Sequence, residues 1–145
     1  MEINIFRAQT HNLPKTTEAE RMVVQRVGQD IFRGALLDFW QGRCCVSGLA
    51  VPSLLRASHI KPWALCASDN ERLDVFNGLL LAPNFDALFD GGWISFSNHG
   101  TLLVSNTLPM EAQQNLGISI DLKIHNLKIE NFSYLEFHRD VVFKK

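Results

Sequence analysis

Residues 56–96 read RASHIKPWALCASDNERLDVFNGLLLAPNFDALFDGGWISF. His59 stands at the end of a strand-like piece, just before the turn that Pro62 imposes. Asn77-Gly78 by itself is a turn signal, and the LLL run after it is short, with Pro83 close behind. Proline suits the first position of a helix, so a helix is predicted over Asn84 to Asp90, closed by Gly91 and Gly92. Asp86 and Asp90 are i and i+4 on it, which puts both carboxylates on one face. Phe85, Leu88 and Phe89 supply its apolar face. Two acids on an exposed helix are usually just solvated; beside a strand-borne histidine they suit a hard divalent cation, which prefers oxygen ligands. A histidine with a near-neutral pKa can also take a proton from water at physiological pH.

Outward from this stretch the elements alternate without repeats or a linker. Upstream, Arg43 to Ile60 reads as two short extended pieces joined by a turn near Gly48 and Pro52. Cys66 to Asp74 reads as a polar loop. Thr17-Glu18-Ala19-Glu20 has the form of a capping box. From there Val23, Val27, Ile31, Leu37 and Trp40 keep an apolar stripe at helical spacing. A long helix, or two end to end, is predicted from Thr17 to Gln41, ended by Gly42 in a left-handed turn. Residues 1–16 read as partly irregular. Downstream, Trp93–Phe96 and Thr101–Ser105 form a hairpin signal around Ser97–Gly100. Pro109 to Leu116 reads as a short helix ended by Gly117. Ser133-Tyr134-Leu135-Glu136 reads as a second capping box, opening a helix to about Phe143. The sum is one α+β domain spanning residues 1–145.

Composition narrows the class. A chain of 145 residues with 46% hydrophobic and 20% charged residues is an ordinary globular one, long enough to bury roughly two thirds of its unfolded surface. The formal charge of −1 announces no bulk affinity for nucleic acid. From Leu73 to Leu122 there is no Lys or Arg, while Asp74, Asp86, Asp90, Glu111 and Asp121 are present. Such a stretch repels a phosphate backbone unless a cation lies between them; a solvated acidic face explains it equally well. Cys44, Cys45 and Cys66 form no C-x-x-C pair, so reduced thiols in a cytoplasmic protein are expected. No segment has the make-up of a signal peptide or a bilayer span.

The order is strand histidine, long loop, asparagine, apolar run and short acidic helix. His59 to Asn77 is eighteen positions and Asn77 to Asp86 is nine. In this the chain resembles the HNH endonuclease family, whose site is a ββα-metal unit, and in particular a branch found in restriction-type nucleases. The resembling motifs stand here as HIKPW, NGLLL and LFDGGWISF. RVGQDIFRGALLDFWQGRCCVSG and YLEFHRDVVF look like the flanking segments. About 120 residues, from near Glu20 to Phe143, are covered.

The resemblance implies a ββα-metal core with flanking helices and an additional hairpin. It implies an endonuclease of restriction or defence type that hydrolyses DNA, most readily double-stranded. His59 would be the general base, Asn77 would pin the loop and hold the histidine's geometry, and Asp86 would bind one Mg²⁺ or Mn²⁺ ion. Asp90 or Asp74 would complete the ligand set, or substrate phosphate and water would fill most of its positions. Arg56, Lys61 and Arg72 flank the site and would meet backbone phosphates, while Trp63 would stack or pack into the core. His138 and Arg139 would support the site, or form a surface ion pair with Glu136 or Asp140. A second copy or a separate specificity subunit would steer the cut.

Two positions depart from the pattern. Many family members carry an acid or histidine just before the catalytic histidine; here it is Ser58, a poor ligand. The third family letter is usually histidine; here it is Asp86, a reasonable ligand for Mg²⁺. An alternative therefore stays open: an HNH fold without the metal, kept as a binding module for nucleic acid or protein. Many relatives hold a structural zinc with four cysteines, and lacking those pairs this chain is expected to hold none. Cys44 and Cys45 read as small buried hydrophobes.

Overall fold

The fold is seen in a computed structural model that describes residues 2–11 and 17–145. The helices are α1 (Glu2–Thr10), α2 (Glu18–Phe39), α3 (Asp69–Arg72), α4 (Pro83–Asp90), α5 (Met110–Asn115) and α6 (Phe132–Phe137). The strands are β1 (Arg56–His59), β2 (Gly78–Leu81), β3 (Ile94–Phe96) and β4 (Leu102–Val104). They make two antiparallel pairs, β1 with β2 and β3 with β4. The first pair and α4 form the ββα unit expected from the sequence, and β3–β4 is the additional hairpin. Among the described residues no helix is long and apolar enough to cross a membrane.

Local signals account for most element ends. Thr17 Oγ1 accepts the Glu20 N–H and Glu20 Oε2 accepts the Thr17 N–H, both at 3.1 Å, which satisfies two of the free donors at the start of α2. The helix ends where Gln41 and Gly42 take φ of 57° and 67° and the Gly42 N–H donates to Leu37 O. Pro83 opens α4 and Gly91 caps it. Its inward face, Phe85, Leu88 and Phe89, is buried and joins Phe32, Leu36, Leu79–Leu81, Ile94 and Phe96 in the core.

Four expectations are corrected. The segment 43–60 is not a pair of strands: only Arg56–His59 is extended, and its partner is Gly78–Leu81, with Arg56 opposite Leu81 and His59 opposite Gly78. Residues 44–49 fold instead into a tight turn, in which the Gly48 N–H donates to Cys44 O and the Cys44 N–H to Leu49 O. Only the Cys45 N–H reaches the far edge of β2, at Leu80 O. The segment 66–74 is not all loop, since Ser68 accepts the Glu71 N–H and starts α3; Ser68-x-x-Glu71 was a readable capping pattern. Ser133 does not cap the last helix. α6 begins at Phe132 behind a 3₁₀ turn, Ile129–Asn131, and runs into a π-helical turn, His138–Val142. Asn131 holds that entry, accepting the Lys128 N–H and donating to Phe76 O, both at 2.8 Å. At the start of the chain Glu2–Thr10 is helical and packs against α2 with Phe6 buried. Residues 12–16 of the stretch read as irregular lie outside the described residues.

Gly78 is not a turn residue. It sits in β2, where an added Cβ would run into the Phe32 ring and lie 2.8 Å from Leu36 Cδ1. The glycine is there because α2 lies directly on the strand. Gly78→Ala is therefore expected to destabilise the fold by about 1–3 kcal/mol, the usual cost of overpacking a filled core, read as a lowered midpoint in urea unfolding.

Candidate active site

β1 carries Ser58 and His59 into a cleft of about 260 Å³, lined also by Gln29 from α2, Ala57, Pro62, Trp63, and Asp86 and Asp90 from α4. The His59 ring stacks on Phe32 at 3.8 Å between centroids, 12° from parallel, and meets the edge of Trp63. Its Nε2 lies 2.7 Å from the Arg72 carbonyl oxygen. A carbonyl only accepts, so Nε2 carries the hydrogen and the neutral ring keeps its lone pair on Nδ1. Burial pushes the His59 pKa down, and the Arg72 charge adds to this, against the opposing pull of the Arg72 carbonyl. The ring is neutral at pH 7 and has a free basic nitrogen.

The loop between His59 and β2 is tied from inside by Asn77, which is fully buried. Its Oδ1 accepts the Lys61 N–H at 2.7 Å, and its Nδ2 donates to Glu71 O at 3.1 Å and Lys61 O at 3.3 Å. Glu71 precedes the residue whose carbonyl holds His59, so one amide side chain connects both sides of the histidine's mount. Asp74 belongs to this scaffold and not to the cleft: its Oδ1 accepts the Phe76 N–H and its Oδ2 the Tyr134 hydroxyl.

Asp86 faces the cleft half-buried. Its carboxyl is pushed up by burial first, Ser58 favours the ionised form, and the neighbouring Asp90 charge raises it further. Asp90 is exposed at the end of α4. Ser58 Oγ is buried without a well-formed hydrogen bond, although its dipole is near enough for Asp86 to feel. Two carboxylates on one side of the cleft and an unsatisfied hydroxyl make an oxygen-rich donor set that suits a hard divalent cation. Among the described residues no three His, Cys, Asp or Glu side chains gather into a metal-ready cluster.

The three basic residues near the site are placed differently. The Lys61 ammonium pairs with Glu71 at 3.1 Å, over the Phe137 ring. The Arg72 guanidinium pairs with Asp69 at 3.0 Å, bonds to Trp63 O and Cys66 O, and lies over the Trp63 ring. Arg56 is exposed, and its guanidinium donates to the carbonyl of Leu55 at 3.2 Å. Trp63 packs toward Gly28, where an added Cβ would lie 2.7 Å from its ring.

His138 and Arg139 make no surface ion pair with Glu136 or Asp140. His138 is buried and stacks on Phe89 at 3.8 Å; Nε2 donates to Phe89 O at 2.9 Å and Nδ1 accepts from Ser95 Oγ at 2.7 Å. It thereby joins the end of α4 to β3. Arg139 donates to Phe96 O and Asn98 Oδ1. Burial lowers the His138 pKa to about 4. Its stabilising contribution is therefore complete above the ordinary value of 6.5 and is lost as pH falls toward 4. Between pH 6.5 and 5 the parent is expected to lose roughly 2 kcal/mol more stability than His138→Gln, measured by urea unfolding at each pH.

Residues 44–97 match the model of a family described as HNH endonuclease. The matched segment contains β1, the looped crossover, β2, α4 and β3, and so every residue of the cleft except Gln29. No curated protein matches the chain. Enzymes of this family are nucleases that act on nucleic acid and generally use a divalent metal. The ββα unit and the family match fall on the same residues, so the segment that carries the cleft is similar to the HNH endonuclease family.

Proposed function

We propose that residues 1–145 form a single nuclease domain, a metal-dependent endonuclease of restriction or defence type that hydrolyses DNA in the cytoplasm. One observation carries the reading: a histidine fixed at Nε2, with Nδ1 left to accept a proton, lines a cleft together with two carboxylates. His59 Nδ1 takes a proton from a water molecule as the water oxygen bonds to phosphorus, and the oxygen opposite departs. Stacking on Phe32 and the bond to Arg72 O hold the ring in one tautomer and orientation, which is what general-base catalysis needs. Asn77 holds the loop that provides this carbonyl. Asp86, with Asp90 beside it, would hold one Mg²⁺ or Mn²⁺. When bound, that ion supplies positive charge against the negative charge that builds on the phosphoryl oxygens and the leaving group. Water and substrate phosphate would complete its shell, since Ser58 is a poor ligand. Arg56, whose charge is not paired with an acid, is the phosphate contact best supported of the three basic residues; Lys61 and Arg72 would act mainly by shaping the loop.

Plasmid nicking with Mg²⁺ or Mn²⁺, stopped by chelation, tests the proposal. Asp86→Ala is expected to lower the rate at least about 100-fold, the scale of a lost stabiliser of transition-state charge. It should also abolish the heat of Mn²⁺ binding in calorimetry. The thin set of protein ligands favours a second reading, a metal-free HNH fold that only binds. Metal heat that disappears in Asp86→Ala excludes it; no metal heat and no nicking by the parent would establish it.

A further inference from the structure

Two arginines from different elements converge on one carbonyl oxygen beside the cleft. Arg33, on α2, donates Nη1 to Leu55 O at 2.6 Å and Nη2 to Pro52 O at 2.8 Å. Arg56, at the start of β1, donates Nη1 to the same Leu55 O at 3.2 Å. Among the described residues neither guanidinium has a carboxylate within ion-pairing distance, in contrast to Lys61 and Arg72. Asp86, the residue proposed above to face a cation, feels the Arg56 charge. Two like charges are thus held side by side, offset at hydrogen-bond range by carbonyl dipoles and, for Arg56, at longer range by Asp86. Each guanidinium has five donors in a planar fork, and the carbonyls use two of Arg33's and one of Arg56's.

We infer that Arg33 and Arg56 together form an anion site that grips a backbone phosphate of the DNA strand being cut. This deepens the nuclease reading and rests on it for the identity of the anion. Arg56 and His59 are three residues apart on one strand, roughly 10 Å at strand spacing. A phosphate at the arginine pair therefore lies a few nucleotides along the same backbone from the bond presented to His59. Gln29, one helical turn before Arg33 on α2, lines the cleft, so the same helix carries residues at both places. Arg33 is the unexpected member, because it lies outside the family-matched segment and appears in sequence as one polar residue on a long helix. Its bonds to Pro52 O and Leu55 O fix it before any ligand arrives, so ordering the site costs little on binding.

The test uses the His59→Ala protein with chelator, so that binding is read without cutting. A labelled DNA duplex is titrated by fluorescence anisotropy across a series of KCl concentrations. Arg56→Gln is expected to weaken binding and to reduce the slope of log K against log[KCl] by about 1, as loss of one phosphate contact does. Arg33→Gln is expected to do the same, and Arg33→Lys, which keeps the charge, to retain the parental slope. Arg56→Gln reads the exposed half of the pair; a folded Arg33→Gln with the parental slope leaves Arg56 as a lone phosphate contact and overturns the pair. A parental slope in Arg56→Gln, or no DNA binding by the parent, overturns the inference. A parent that binds with the arginine-dependent slope yet fails to nick plasmid with Mg²⁺ or Mn²⁺ sinks the nuclease reading alone.

Discussion

His59→Ala should cut plasmid DNA about 10²- to 10⁴-fold more slowly than the parent, the range removed with a positioned general base. The protein should remain folded, because the lost ring leaves Phe32 in a core still formed by Leu36, Leu79 and Leu80, and circular dichroism would check this. A second readout separates a base from a merely structural histidine. Burial lowers the His59 pKa below its ordinary 6.5, and a general base works only when deprotonated. The parental rate should therefore climb with pH, with a midpoint below 6.5, and be level by pH 7. A midpoint above 7, or a His59→Ala variant as fast as the parent, would remove His59 from the role.

Asn77→Ala should be the most destabilising single change near the cleft, by about 3 kcal/mol or more. Fully buried, Asn77 bonds to Lys61 N–H, Lys61 O and Glu71 O. Truncation orphans the Lys61 N–H and leaves Lys61 O and Glu71 O with the long contacts from Cys66 Sγ at 3.5 Å and Asp74 N–H at 3.4 Å. Each such group costs about 1–3 kcal/mol, against a total stability on the order of 5–15 kcal/mol for a domain of this kind. Urea unfolding measures it; a change below about 1 kcal/mol would show that water or a shifted loop replaces the amide. Any surviving folded fraction should also cut slowly, since the Arg72 carbonyl that orients His59 hangs from the same loop.

The loop also marks where reading the sequence stopped. Asn77-Gly78 carries an ordinary turn signal, and nothing local distinguishes an amide facing solvent from one buried under the seventeen-residue crossover between His59 and Asn77. Gly78 reads as part of that turn until Phe32 and Leu36, more than forty positions upstream, are laid against it. The arginines behave the same way. Arg56, Lys61 and Arg72 look alike in sequence, but Glu71 and Asp69 engage two of them, and Arg33 joins the third from another helix. His138 gave no sign that it would be buried between Phe89 and Ser95.

By itself the sequence determined the α+β class, the long capped α2, the short acidic α4 begun by Pro83, and the β3–β4 hairpin. It also determined the ordered His59, Asn77, Asp86 pattern that carries the family. These are set by interactions within a turn or two of chain: capping hydrogen bonds, the fixed φ of proline, the left-handed φ of glycine, and periodic burial. Only the tertiary structure decided that β1 pairs with β2 and not with residues 43–50. It alone decided which nitrogen of His59 stays bare, that Asp74 is spent on Tyr134, and which guanidinium groups keep their charge unpaired. Each of these depends on a partner distant in the chain. Such a contact forms because the packed core brings the two sides together, and no local preference of either residue specifies it.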